Sequence, residues 1–192
     1  MQKLIKGVQV IESKRNVDER GWLQEIARNS QLPYPIQQVY LTNAERDVCK
    51  AFHQHVSSNQ WDTMCCLKGK MKLILVDVRH DSETFGMINT FILENMNMSV
   101  VIPEKVLHGF QGLREGENTI LNCVSAEYNH ENPDEIRYGT HGYFYVNKNN
   151  GSIMEFSTKH DVLDFKDSTC VKLDKHYKEI IVPASLWEIK NG

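Results

Sequence analysis

Apolar and polar residues alternate in short runs along the chain up to about Tyr128, and turn-forming residues separate the runs. Residues 5–12 (IKGVQVIE) follow the period of two that a half-buried strand requires. Asp18-Glu19-Arg20-Gly21 predicts a turn, and residues 22–26 (WLQEI) the next strand. Pro33 and Pro35 exclude a helix there. Residues 36–42 (IQQVYLT) are rich in β-branched and aromatic side chains and predict a third strand. The stretch 49–79 reads CKAFHQHVSSNQWDTMCCLKGKMKLILVDVR. It predicts a strand, a Ser57-Ser58-Asn59 turn, a strand out to Lys68, a reversal at Gly69 and a strand ending near Asp77. Further runs at 89–93, 99–103, 106–110 and 119–128 complete the series. Short strands at regular spacing predict an all-β sandwich or barrel, and no helical period competes with them.

The pattern breaks after Pro133. Residues 147–152 (NKNNGS) form a dense turn cluster. The tail from Ile153 is mixed and charged, with a short helix expected near Pro183–Trp187. The expected organisation is one β-domain over residues 1–145 and an extension over residues 146–192 packed on it. About 40 residues are too few for an independent core. The formal net charge of -3 and pI of about 6.2 give no basic surface for nucleic acid or an acidic membrane. The five cysteines are odd in number, and adjacent Cys65 and Cys66 point to opposite faces of a strand. They read as small buried hydrophobes in a reducing compartment. No run approaches the ~20 apolar residues of a membrane span, and a cytoplasmic protein is expected.

Chemistry concentrates on histidine. His53 and His55 stand at i, i+2, so a strand places both imidazoles on one face. His108 follows on another strand, and in a barrel the three can meet at the mouth, with Gln60 nearby. Two chemistries suit such a cluster. Imidazoles can hold a divalent metal, although that pattern wants a glutamate after the histidine pair and Gln60 carries no charge. Alternatively, a neutral imidazole, with its ordinary pKa of about 6.5, is a base for a carbon acid beside a ketone. The resulting enolate then needs a hydrogen-bond donor or a cation. Lys50 has the opposite strand parity to His53 and is expected to face a groove or a phosphate. Arg20, Arg79 and Arg137 can clamp a diphosphate, or sit in surface ion pairs. Asp77 and Arg79 share parity and can pair at a strand end, and Trp22 and Trp61 are core or pocket wall.

Asp18-Glu19-Arg20-Gly21, Lys50-Ala51-Phe52-His53, Gly69, Val76-Asp77-Val78-Arg79, Ser82-x-Thr84-Phe85-Gly86, Ile102-Pro103, His108-Gly109-Phe110, Tyr128 and Pro133-Asp134-Glu135 occur in one order. In this the chain resembles the dTDP-4-dehydrorhamnose 3,5-epimerases over residues 5–138. The resemblance implies a cupin jelly roll, a dimer that shares an N-terminal strand, and a reaction on a nucleotide-linked 4-keto sugar without metal or cofactor. It implies that His53 is the base and that His108 shapes the pocket. The chain also departs from the family. Lys50-Ala51 replaces Arg-Gly, Asp62 stands where a lysine is usual, and Asn122 occupies the slot of a catalytic tyrosine. Residues 139–145 replace the motif carrying the aspartate that orients the histidine. Tyr128 is retained and is the expected proton donor. Arg20, Lys50, His55, Gln60, Asp62, His108, Asn122 and Arg137 are the expected substrate contacts. The expected activity is epimerisation at C3, C5 or both in polysaccharide sugar synthesis. A 3,4-ketoisomerase, a metal-binding cupin and a non-catalytic sugar-binding module are the alternatives.

Overall fold

The computed structural model describes residues 3–137 and, as backbone, the strand residues 143–146, 153–156, 169–173 and 180–181. Twelve strands fall in the first part: β1 (Gln9–Glu12), β2 (Arg15–Asp18), β3 (Gly21–Gln24), β4 (Gln38–Asn43), β5 (Cys49–His55), β6 (Asp62–Lys68), β7 (Lys70–Asp77), β8 (Ile88–Glu94), β9 (Met98–Ile102), β10 (Val106–Gly112), β11 (Thr119–Val124) and β12 (Glu135–Arg137). They form two five-stranded sheets, β1-β9-β6-β11-β4 and β12-β5-β10-β7-β8, with β2 and β3 as a separate hairpin. Every strand pair is antiparallel, and the described residues contain no helix. This is the expected jelly roll.

The core follows from the period of two. Met71, Leu73 and Leu75 on β7 pack inward against Met64 and Cys66 of β6, Val100 and Ile102 of β9, and Ile120 of β11. The same parity continues into polar residues at one end of the sandwich. Val106 and Phe110 flank His108 on β10, Ile120 and Val124 flank Asn122, and Asp62 precedes Met64. His108, Asp62 and Asn122 are each no more than 1% exposed. The inward face of the barrel is therefore apolar along most of its length and polar at that end.

Tight turns set the register. Gly69 joins β6 to β7 with φ +80°, and a Cβ there would meet the Glu117 carbonyl oxygen at 2.6 Å. Only glycine accepts both conditions without displacing the neighbouring loop. Beyond β7, Asp77 accepts hydrogen bonds from Arg79 Nε (2.8 Å), Ser82 Oγ (2.6 Å) and Thr84 Oγ1 (2.5 Å). Arg79 Nη2 continues to the Lys6 carbonyl, and the Lys6 N–H donates to Thr84 Oγ1. The Val76–Arg79 and Ser82–Gly86 motifs thus anchor the N-terminal segment.

Two expectations need correction. The run through residue 128 is a strand only as far as Val124, because Trp61 N–H and Ser125 Oγ (2.8 Å) draw the chain out of the sheet. The first strand begins at Gln9 instead of Ile5, since Gly7 turns with φ +89°. Among its described residues the tail holds four strands, β13 (Tyr143–Val146), β14 (Ile153–Phe156), β15 (Thr169–Leu173) and β16 (Ile180–Ile181), in a sheet ordered β14-β13-β15-β16. The turn cluster at 147–152 and the helix expected near 183–187 lie outside the described residues.

Candidate active site

A cavity of about 670 Å³ opens at the polar end of the sandwich. Its walls come from β4 (Gln38, Tyr40, Thr42), β5 (Lys50, Phe52, His53, His55) and the segment after β11 (Tyr128, His130), with Gln60 and Glu135 closing the sides. His53 and His108 pair directly across β5 and β10, and their rings lie 4.0 Å apart by centroid. His55 completes the group at 5.4 Å from His53 and 5.9 Å from His108.

Each imidazole has an oxygen beside its Nδ1. His108 Nδ1 donates to the Val106 carbonyl at 2.9 Å. A carbonyl only accepts, so the Nδ1 carries a proton. His55 Nδ1 faces Asp134 Oδ2 at 3.7 Å, and His53 Nδ1 faces Glu135 Oε1 at 4.0 Å. The opposite nitrogens of two rings converge on Asp62: Oδ2 lies 3.8 Å from His55 Nε2 and 4.0 Å from His108 Nε2. Burial lowers the pKa of His108, and the Asp62 charge opposes that shift. Burial pushes the Asp134 carboxyl up. Hydrogen bonds from the side chains and backbone of Ser57 and Ser58 outweigh this and hold it well below the usual carboxylate range.

A second network runs under the cavity. Asn122 Nδ2 donates to Asp62 Oδ1 and to the Tyr40 hydroxyl, each at 2.8 Å. Gln60 Nε2 reaches Asp62 Oδ1 (3.2 Å) and His55 Nε2 (3.0 Å). With its oxygen accepting from Asn122, the Tyr40 hydroxyl keeps its proton for the cavity. Burial, then the Asp62 charge, pushes the phenol up to about 12, so it is neutral at ordinary pH.

His53, His55, Gln60, Lys50 and Tyr128 line the cavity, and His108, Asp62 and Asn122 are buried behind that lining. Lys50 does so against its parity. The β5–β10 register shifts between the His108/His53 and Phe110/Lys50 pairs, and this bulge turns Lys50 to the His53 side. Its Nζ bonds Thr42 Oγ1 at 2.9 Å. Tyr128 does not share a strand face with Asn122, because β11 has ended, and it stands half exposed with its ring against His130. Arg20 is outside the cavity of its own chain, at the β2–β3 tip, paired with Asp18. Arg79 is committed to Asp77, and Trp22 and Trp61 do not line the cavity. Arg137 pairs by backbone with His53, and the contact expected of its side chain lies outside the described residues. Tyr40, Asp134 and Glu135 were not foreseen as site residues.

The sequence profile of dTDP-4-dehydrorhamnose 3,5-epimerases matches residues 2–173. The chain belongs to that family. It is a nucleotide-sugar epimerase, and therefore an isomerase. "Probable low-salt glycan biosynthesis epimerase Agl13" of Haloferax volcanii is 32% identical over 136 residues, covering 69% of this chain and 86% of that protein. "Spore coat polysaccharide biosynthesis protein SpsL" of Bacillus subtilis is also 32% identical, covering 70% and 89%. Among solved structures, the dTDP-4-dehydrorhamnose 3,5-epimerase of Elizabethkingia anophelis is 25% identical with a TM-score of 0.63, covering 71% of this chain and 78% of that one. The epimerase frame is thus shared.

Proposed function

We propose that the protein epimerises a nucleotide-linked 4-keto sugar, with His53 removing the proton from the carbon next to the ketone. The observation that carries this is the placement of His53 on the cavity wall, its Nδ1 turned to Glu135 Oε1 at 4.0 Å. A carboxylate on Nδ1 orients the ring and stabilises the imidazolium that forms. Glu135 fills the role that residues 139–145 do not supply in the family pattern. The electrons from the broken C–H bond move to the ketone oxygen as an enolate. The Tyr40 hydroxyl and the Lys50 ammonium are the donors on the cavity wall that can meet this charge. Tyr128 returns a proton from the opposite face, which inverts the centre.

The substrate is a dTDP-linked 4-keto sugar used in polysaccharide synthesis, a reading supported by the family and by the glycan and spore-coat relatives. The protein works as a homodimer in the cytoplasm. The buried thiols of Cys65, Cys66 and Cys123 suit a reducing compartment. The test is deuterium uptake from heavy water into 4-keto nucleotide sugars, with NMR to place the label. Exchange at C3 or at C3 and C5 is expected, and His53→Asn should lower it ~100-fold or more. Unchanged exchange in His53→Asn would refute the assignment of the base. Product with the ketone at C3 would make the enzyme a ketoisomerase.

A further inference from the structure

We propose that Gln60 reads a hydroxyl of the sugar, its Oε1 fixed as a hydrogen-bond acceptor on the cavity wall by Asp62, His55 and Asp134. The assignment follows from donors and acceptors. Asp62 Oδ1 accepts from Asn122 Nδ2 at 2.8 Å and lies 3.2 Å from one end of the Gln60 amide. A carboxylate only accepts, so the Gln60 atom turned to it is the nitrogen. That nitrogen also reaches His55 Nε2 at 3.0 Å. An amide N–H only donates, so His55 Nε2 accepts and the imidazole proton sits on Nδ1. There it faces the Asp134 carboxylate, with Oδ2 at 3.7 Å. Both amide hydrogens of Gln60 are thereby spent behind the wall. Gln60 lines the cavity, and the polar atom left to it there is Oε1.

The backbone around Gln60 is held as well. Gln60 lies in the connection from β5 to β6, and Asp134 pins that connection. Its Oδ1 accepts from the backbone N–H of Ser57 (2.6 Å) and Val56 (3.3 Å), its Oδ2 from that of Ser58 (3.1 Å), and both serine hydroxyls donate to it too. Asn59 then takes φ +52°, a left-handed conformation that asparagine tolerates. On the other side Asp62 opens β6 and is 1% exposed. The Gln60 amide cannot turn over without setting Oε1 against that buried carboxylate, which is unfavourable. A fixed acceptor binds a group that donates. On a 4-keto sugar the ring hydroxyls donate, whereas the ketone and the ring oxygen only accept. Gln60 and His53 line the same cavity, which points to a hydroxyl at C2 or C3, close to the reacting carbon. A sugar lacking it leaves Oε1 facing the ligand unpaired, and the site discriminates against that sugar. This deepens the function proposed above and rests on the 4-keto sugar as substrate.

The test compares a dTDP-linked 4-keto sugar with its 2-deoxy and 3-deoxy analogues. Calorimetry on the full chain gives the affinity for each, and nitrogen NMR of the imidazole rings gives the His55 tautomer. The parent should bind the hydroxylated sugar ~10-fold or more tighter than one of the analogues. Gln60→Met keeps the length of the side chain and removes the acceptor. It should erase that difference by weakening the hydroxylated sugar alone. Asp134→Asn should reduce the same preference with Gln60 still in place, because His55 loses the carboxylate that holds its proton on Nδ1. In the parent, His55 Nδ1 should show the shift of a protonated nitrogen and Nε2 that of an unprotonated one. A proton on Nε2, or an Asp134→Asn variant with tautomer and preference unchanged, overturns the lock. Equal affinity of the parent for the three sugars overturns the reading of the hydroxyl. So does a preference that Gln60→Met retains, or a Gln60→Met variant that weakens all three sugars alike, as a merely structural residue would. A parent that binds none of them overturns this proposal together with the substrate proposed above. The expected preference without deuterium uptake supports the role of Gln60 and counts against the epimerase mechanism alone.

Discussion

The two cavity phenols have different chemical positions. Tyr40 is fixed from beneath by Asn122, and its raised pKa keeps it a donor. Tyr128 stands free of that network, half exposed. If Tyr40 stabilises the enolate, Tyr40→Phe should lower solvent exchange and inversion together, by ~10²–10³ in kcat for a lost oxyanion donor. If Tyr128 returns the proton, Tyr128→Phe should keep exchange at the original centre, because His53 can re-deliver a solvent deuteron, while inversion falls. Paired NMR measurements of label uptake and product formation check both, and equal loss in the two variants would show that the roles are not divided. His53, His55 and His108 were legible in the sequence because their positions follow strand parity. Tyr40 was not, since a tyrosine in an alternating strand looks like any half-buried aromatic. Its role comes from Asn122, which is directly opposite on β11 and distant in the chain. Glu135 was hidden for a similar reason: β12 is three residues long and shows no pattern, yet it pairs with β5 beside the histidines.

At the scale of elements, the alternation located every strand that carries the histidines, and it failed where backbone geometry broke the count. The bulge between β5 and β10 reversed Lys50, and the exit of the chain after Val124 removed Tyr128 from the sheet. Neither event leaves a mark in hydrophobicity. The Asp77 motif, by contrast, is written plainly in the sequence but has a structural purpose. Burial pushes the Asp77 carboxyl up, yet bonds from Arg79, Ser82 and Thr84 more than offset this and hold it below the usual range. A carboxylate with a depressed folded pKa contributes stability above its unfolded value of about 3.9, and loses it as pH falls through the folded value. Asp77→Ala should therefore cost about 3–5 kcal/mol at neutral pH, since Arg79 is left largely buried without its partner. The milder Asp77→Asn should narrow its Tm deficit against the parent as pH drops below about 4. Thermal melts followed by circular dichroism from pH 7 downward check this, and a deficit that stays constant would show that the ion network contributes no pH dependence.

At the scale of the molecule, the jelly roll leaves an apolar surface uncovered. The edge strand β4 turns Tyr40 and Thr42 to the cavity and Val39 and Leu41 outward, the latter two 53% and 61% exposed. The β2–β3 hairpin exposes Val17 (73%), Trp22 (55%) and Leu23 (63%). Exposed edge strands with apolar side chains are liable to pair with another chain. An isologous dimer would cover these surfaces with a second copy of themselves. It would also explain Arg20, which sits at the hairpin tip beyond its own cavity and can meet a nucleotide only if the hairpin crosses to a neighbouring subunit. Light scattering should therefore return twice the 22.2 kDa chain mass. Leu41→Glu combined with Trp22→Glu should halve that value by placing charge in the interface. If the hairpin does cross, Arg20→Ala should keep the dimer and raise KM, because it removes a phosphate contact and leaves the His53 side of the cavity intact. A parent that scatters as a monomer at working concentration would rule out both the dimer and the role assigned to Arg20.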